Sequence, residues 1–162
     1  MTSPPRAPSP SRAPVILGLA PRISRPPAPR PTQRPIANAA RDAQTARMSR
    51  AIVRSVCETL PGAEVSDPWG GGHDAWKVGG KMFACIGAMD RGVAVKTADI
   101  DFARMMIEAG DAERAPYFHR SWVLLPWGSD ECLIRDRIVI SYDIVRAGLT
   151  KKAQAALPPR PE

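Results

Sequence analysis

The sequence is poor in the side chains on which metal binding and catalysis usually depend. It has two histidines, His73 and His119, and three cysteines that lie far apart, Cys57, Cys85 and Cys132. None of these residues forms a ligand pair at zinc-finger spacing, and an odd number of scattered cysteines does not indicate a disulfide framework. We therefore expect no metal, no cofactor, and a cytoplasmic protein with unpaired thiols.

Long apolar runs are also missing. A membrane-spanning helix needs about 20 consecutive, mostly apolar residues, whereas the apolar runs of this sequence are only a handful of residues long. We expect no partner in the membrane for the folded part of the chain.

The greater part of the chain has no excess of charge. Residues 1–50 hold nine arginines, no lysine and one acidic residue, a net charge of +8, while residues 51–162 hold 14 basic and 15 acidic residues, a net charge of −1. The first fifty residues also contain 11 of the 18 prolines, which interrupt helices and sheets. The composition predicts a disordered tail over residues 1–47, a domain over 48–157 and a disordered C-terminus over 158–162.

Three interpretations of the tail remain open. It could be a basic arm that binds nucleic acid or an anionic membrane, or a transit peptide, although so much proline disfavours the amphipathic helix of such peptides. It could also be upstream sequence translated from a misplaced start, because Met48 stands just before the first strong helical pattern.

A glycine-rich run, DPWGGGHDAWKVGGKMFA, occupies residues 67–84. A phosphate-binding P-loop needs a glycine five residues before its final Gly-Lys and a Ser or Thr after the lysine. Here those positions hold Ala75 and Met82. Two strand-like segments, 75–78 and 81–86, instead flank Gly79-Gly80, the residues that tolerate the positive φ of a type I′ turn. The run predicts a β-hairpin.

Periodicity predicts the other elements. A helix from Met48 to Leu60 presents Val53, Val56 and Cys57 to the core and Arg50 to solvent. The strands and helices expected after it are the hairpin strands, a strand through 93–95, a helix from about 100 to 107, one or two strands around 117–118 and 122–125, a long helix through 134–145, and a short helix within 150–157. This order, roughly α-β3-α-β2-α, predicts an α+β two-layer sandwich, with an antiparallel sheet and helices on one face.

Five blocks of sequence in this order resemble the MmcQ/YjbR family. They are LPGAE at 60–64, WKVGGKMFA at 76–84, GVAVKT at 92–97, PYFHRSW at 116–122 and ISYDIV at 140–145. The resemblance covers roughly residues 48–157 and none of the tail. It implies a two-layer α+β fold grouped with secretion-chaperone-like proteins. It also implies DNA binding, through a proposed double-wing arrangement of the hairpins.

The DNA-binding role implied by the resemblance would fall on basic and aromatic residues of neighbouring strands. Lysines there could contact phosphates and an aromatic ring could stack on a base. The residues concerned are Lys77, Lys81, Lys96, Arg120 and Trp122. A structural role competes with this interpretation, since the lysines could be solvated edge charges and Trp122 a half-buried sheet residue. A domain with a net charge of −1 also lacks the excess of basic residues expected of a protein that binds duplex DNA.

A second hypothesis is a non-catalytic module that binds a protein or a small ligand. Glycine-rich residues before the hairpin could form a loop that covers a pocket: Trp69, Gly70, Gly71, Gly72 and His73. An enzyme is least supported, because no nucleophile, base and orienting group converge in the sequence. Cys85 lies in an apolar strand, where thiols usually pack as small hydrophobes. A metal site built from His73, Asp74 and His119 is not favoured, and nothing in the sequence indicates an oligomeric state.

Overall fold

Helices and strands alternate between residues 36 and 159, the part of the chain that the computed structural model describes. They are α1 (Ile36–Thr59), β1 (Ala63–Ser66), β2 (Asp74–Val78), β3 (Lys81–Ile86), β4 (Gly92–Lys96), α2 (Ile100–Ala109), β5 (Glu113–Arg114), β6 (Trp122–Pro126), α3 (Glu131–Ala147) and α4 (Lys151–Ala155). Residues 1–35 and 160–162 lie outside this part, so the predictions of disorder that fall on them stay predictions.

The six strands form one sheet in the order β1-β2-β3-β4-β6-β5, and every neighbouring pair is antiparallel. Helices α1, α2 and α3 pack on one face of this sheet. The predicted α+β two-layer fold, with an antiparallel sheet and helices on one face, is confirmed.

Gly79 and Gly80 connect β2 to β3, as predicted. Their φ angles are +54° and +78°, the left-handed values that a type I′ hairpin turn requires and that glycine adopts without steric cost. The glycines therefore turn the chain.

The main core lies between the sheet and the helices. Side chains that are essentially inaccessible to solvent meet there from α1, the central strands and α3: Val53, Cys57, Phe83, Val93, Val95, Val123, Leu125, Ile134, Ile138 and Tyr142. The Tyr142 hydroxyl donates to the Pro61 carbonyl at 2.7 Å, so it ties α3 to the turn after α1. The buried Ser141 hydroxyl donates to the Phe83 carbonyl and accepts the Lys96 backbone N–H at 2.8 Å, which fixes α3 to the sheet.

Two short strands depart from the sequence-based predictions. The edge strand β1 was not predicted, since its four residues include the exposed Glu64 and Val65 and show no clear alternation. The strand predicted around 117–118 is wrong, because Tyr117 has a φ of +66° and is fully exposed. The strand that pairs with β6 there is β5, two exposed residues joined to the sheet through backbone.

Helix α1 begins well before Met48, so residues 36–47, which the composition assigns to the tail, are helical. No proline occurs between Pro35 and Pro61, and the intervening sequence is rich in Ala, Arg and Gln, which favour helix. Residues 39–48 are exposed except for the half-buried Ala46, and buried positions begin at Ser49. Packing of α1 against the domain therefore begins near Ser49.

Candidate functional site

No helix of the described chain covers the second face of the sheet. The register places Ala75, Cys85, Ala94 and Leu124 side by side across β2, β3, β4 and β6. These four belong to a small cluster separate from the main core. We call this side of the sheet the open face. Small side chains at its centre leave room above the sheet.

An irregularity in β3 shapes the open face. Trp76 pairs with Ala84 but Lys77 pairs with Met82, so Phe83 is an extra residue in β3. Such a β-bulge turns two successive side chains to the same side. Phe83 and Ala84 both join the helix-side core, while Met82 and Cys85 flank them on the open face.

A concave cavity of about 710 Å³ lies on the open face. Its floor is formed by strand residues of β3, β4 and β6, and its walls are three loops, 67–73, 87–91 and 116–119. Three large apolar side chains on these walls are exposed to solvent: Trp69 by 60%, Met89 by 82% and Tyr117 completely. We call this cavity the open-face pocket.

Hydrogen bonds hold the glycine-rich wall in one shape. Gly70, Gly71 and Gly72 have φ angles of +69°, +94° and +92°, which residues with a side chain rarely adopt. The Gly72 N–H donates to Asp67 Oδ2 at 2.9 Å. The ring centroids of Trp69 and His73 are 5.3 Å apart. The Asp67 carboxylate thus joins the beginning of the loop to its end.

Arg50 of α1 links two of the walls. Its Nη2 donates to the Gly72 carbonyl at 2.9 Å, its Nε to Asp74 Oδ2 at 2.9 Å, and its Nη1 to Asp90 Oδ1 at 3.3 Å. Asp90 also accepts from Trp127 Nε1 at 3.2 Å. The hydrogen bond to Asp74 is the main reason why the pKa of Arg50 is raised, which keeps the guanidinium charged. One side chain therefore positions the 67–73 and 87–91 walls together.

Both histidines of the chain line the open-face pocket. His73 Nδ1 lies 3.2 Å from the Gly70 carbonyl oxygen and 3.6 Å from Asp67 Oδ1. His119 Nδ1 lies 3.2 Å from the Ser121 backbone nitrogen and 2.9 Å from Ser121 Oγ. Each ring is thus oriented through its Nδ1 atom.

The family model YjbR matches residues 58–144 of this chain, more than half of the 162 residues. The chain belongs to the YjbR family. The matched segment contains all three loops that wall the pocket, whereas Arg50 lies before it.

A solved structure shares the fold of this YjbR protein. It is the crystal structure of Deinococcus radiodurans protein DR2400, described as a DUF419 domain, with a TM-score of 0.56 and 21% sequence identity, over 64% of this chain and 83% of that one. A search of curated proteins finds no match. At this level of identity, the likeness establishes the fold alone.

The structure separates the residues proposed for nucleic acid. Side chains alternate along a strand, so Lys77 and Lys96 share the open face with Ala75 and Ala94. Lys96 pairs with Trp122 across β4 and β6. Lys81, opposite Val78 at the hairpin end, falls on the other side of the sheet. Arg120 is exposed on the loop before β6.

Trp122 is 9% exposed, so it is largely buried in the sheet, and its ring lies 4.8 Å from that of Phe118 at an angle of 31°. It also lines the open-face pocket. This placement agrees with the interpretation of Trp122 as a sheet residue.

The three cysteines are unpaired. Burial raises the pKa of Cys85, in the pocket floor, to about 11, and it also raises the pKa of Cys57, in the core. Cys132 is exposed on α3.

Within residues 36–159, no three His, Cys, Asp or Glu side chains cluster closely enough to hold a metal ion. Nor does any helix in that range have the length and apolar composition to cross a membrane.

The sequence pointed to Trp69 and His73 but missed other parts of the pocket. The helical pattern assigned Arg50 to solvent, Met89 and Asp90 carried no motif, and Tyr117, although part of the PYFHRSW block, was not proposed as a site residue. The one available signal at Met89 was a large apolar residue between two predicted strands, whereas Tyr117 was assigned to a strand that the structure does not contain.

Proposed function

We propose that the protein is a non-catalytic binding module whose ligand enters the open-face pocket. The observation that carries this proposal is an apolar cavity of about 710 Å³ with three large apolar side chains exposed on its walls. Small-molecule sites commonly measure about 300–1,000 Å³ and are lined mainly by apolar and aromatic groups. Exposed apolar groups gathered around one cavity are typical of a binding surface.

The polar groups at the pocket favour binding over catalysis. Cys85 is 3% exposed and its raised pKa keeps it a thiol, which is the unreactive form. Ser121 Oγ contacts His119, but Ser121 is buried, and in the described chain no carboxylate pairs with His119. Nucleophilic catalysis needs a nucleophile, a base and a group that orients the base. We therefore propose that the protein is not an enzyme.

The fluorescent probe 1-anilinonaphthalene-8-sulfonate tests the proposal on the full chain. We expect Trp69→Ala to weaken its binding about five-fold, since one aromatic contact contributes on the order of 1 kcal/mol. The matched control is Met105→Ala, because Met105 is 54% exposed on α2 and does not line the pocket. Equal affinities of the wild type and Trp69→Ala would contradict the proposal.

DNA binding, which the family resemblance implies, is the second candidate function. The observation in its favour is that Lys77 and Lys96 occupy the open face together with Trp122. Two lysines on the same face of the sheet, on β2 and β4 with β3 between them, could contact phosphates while positioning the duplex or a single strand beside the pocket.

Fluorescence anisotropy at several salt concentrations tests this second function. Each phosphate contact contributes about 0.9 to the slope of log affinity against log salt for duplex DNA. We expect Lys77→Ala and Lys96→Ala each to lower the slope by about that amount, while Lys81→Ala, on the other side of the sheet, leaves it unchanged. If all three variants keep the wild-type slope, the folded domain does not contact DNA through these lysines, and the proposed DNA-binding role of the hairpin lysines is wrong. We also propose a cytoplasmic location, to which the three unpaired cysteines are suited.

A further inference from the structure

The hydrogen bonds of the two histidines define what their free nitrogens offer to a ligand. His73 Nδ1 faces two acceptors, the Gly70 carbonyl oxygen at 3.2 Å and Asp67 Oδ1 at 3.6 Å. The ring proton of a neutral His73 therefore resides on Nδ1, which leaves Nε2 as an acceptor.

His119 has the opposite arrangement. Its Nδ1 accepts the backbone N–H of Ser121 at 3.2 Å, so a neutral ring carries its proton on Nε2, which becomes a donor. In the described chain neither Nε2 atom has a hydrogen-bond partner. The two histidines that line the open-face pocket thus have one unused acceptor and one unused donor between them.

Aromatic rings stand beside both histidines. Trp69 contacts His73 on one wall, and Phe118, next to His119 in the chain, contacts Trp122 on another. Aromatic faces bind flat rings by stacking and edge contacts. An acyl chain bound here would make no hydrogen bond to either Nε2 atom.

We propose that the open-face pocket binds a planar nitrogen heterocycle that carries both a hydrogen-bond donor and an acceptor. The proposal rests on the proposed binding function of the same pocket and names the chemical class of its ligand. The donor of the heterocycle pairs with His73 Nε2 and its acceptor with His119 Nε2–H.

Four compounds of similar size separate these two hydrogen bonds. Benzimidazole has a donor and an acceptor, indole has the donor only, 1-methylbenzimidazole has the acceptor only, and naphthalene has neither. Their affinities for the full chain are measured by calorimetry at pH 8, well above the pH at which free imidazole protonates.

We expect each histidine variant to weaken the binding of a different pair of compounds. His73→Phe weakens benzimidazole and indole, and His119→Phe weakens benzimidazole and 1-methylbenzimidazole, each by about two- to twelve-fold, the effect of one hydrogen bond. Neither variant weakens naphthalene. His119→Gln keeps an amide donor and retains binding of 1-methylbenzimidazole, and circular dichroism confirms that each variant is folded.

The outcomes distinguish this inference from the function on which it rests. If the histidine variants weaken all four compounds equally or none of them, the heterocycle proposal is wrong while a pocket that binds through apolar contact stands. If none of the compounds binds and Trp69→Ala leaves probe binding unchanged, both the heterocycle proposal and the proposed function are refuted.

Discussion

Replacement of Arg50 by methionine should loosen two walls of the open-face pocket at once. Methionine keeps an unbranched apolar side chain but removes all of the hydrogen bonds to Gly72, Asp74 and Asp90. Asp74 is the most affected partner, because its side chain is only 15% exposed and would lose the guanidinium that lies 2.9 Å away.

The exposure of the two carboxylates that contact Arg50 determines the expected loss of stability. A largely buried charged group that loses its partner costs about 1–3 kcal/mol. The contact with Asp90, whose side chain is 39% exposed, adds only about 0–1 kcal/mol because solvent screens it. We expect Arg50→Met to lower the free energy of unfolding by about 2–3 kcal/mol. A double-mutant cycle with Asp74→Asn should give a coupling energy of about 1–2 kcal/mol.

Urea unfolding followed by circular dichroism measures this loss. Arg54→Met is the matched control. Arg54 lies about one turn further along α1, is exposed and makes no hydrogen bond or ion pair in the described chain. We expect Arg54→Met to change the free energy of unfolding by no more than about 0.5 kcal/mol. Arg50→Met should also weaken binding of the anilinonaphthalene probe. Equal stabilities of the two variants, or a coupling energy near zero, would refute the assigned role of Arg50.

Three further predictions concern the sheet and its thiol. Gly92→Ala should lower the free energy of unfolding by about 1–3 kcal/mol, since the new Cβ would overlap a backbone carbonyl oxygen of β6. The control is Gly87→Ala, whose new Cβ would have no atom within 4 Å, so its stability should be nearly unchanged. Ser141→Ala should cost about 1–3 kcal/mol by leaving a buried N–H and a buried carbonyl unpaired, and Ser55→Ala, on the exposed side of α1, should cost little. Urea unfolding measures all four variants. Finally, burial raises the pKa of Cys85 from an ordinary value of 9.0 to about 11. Its thiol therefore contributes stability that is complete below about pH 9 and is lost as the pH rises to about 11. Urea midpoints between pH 8 and 11 should therefore fall less steeply in Cys85→Ala than in the wild type.

The controls decide each of these predictions. Equal losses for Gly92→Ala and Gly87→Ala would mean that β4 and β6 are not so closely apposed. A neutral Ser141→Ala would mean that water replaces the hydroxyl. Parallel pH profiles of the wild type and Cys85→Ala would mean that Cys85 titrates alike in the folded and unfolded chains.

Local patterns were enough to predict the elements that make the fold. The Gly79-Gly80 turn between two apolar strands and the helical spacing of Ile134 and Ile138 both arise from interactions close in sequence. The strands β1 and β5 were not predictable in this way, because they are short edge strands whose exposed side chains carry no periodic pattern. Backbone pairing with an existing neighbour defines them, and that is a property of the assembled sheet.

The candidate site likewise has parts that could be predicted from local sequence and parts that could not. The glycine-rich loop was recognisable because three successive glycines are unusual in any regular element. The convergence of Arg50 and Asp90 was not, since these residues lie on different elements and meet only through the tertiary fold. The β-bulge at Phe83 is equally hidden, because strict alternation would place Phe83 and Cys85 on the same face.

The way the pocket is built makes folding and binding separable by mutation. Its floor consists of side chains held by sheet pairing, so changes there alter both stability and binding. Trp69, Met89 and Tyr117 stand on the walls with most of their surface in solvent, so truncating them removes ligand contacts with little effect on the core. Arg50 belongs neither to the floor nor to the exposed wall residues, because it does not line the cavity yet holds two of its walls by hydrogen bonds. A loss of affinity in the wall variants without loss of stability, together with a loss of both in Arg50→Met, would therefore locate the binding function in the loops and its support in α1.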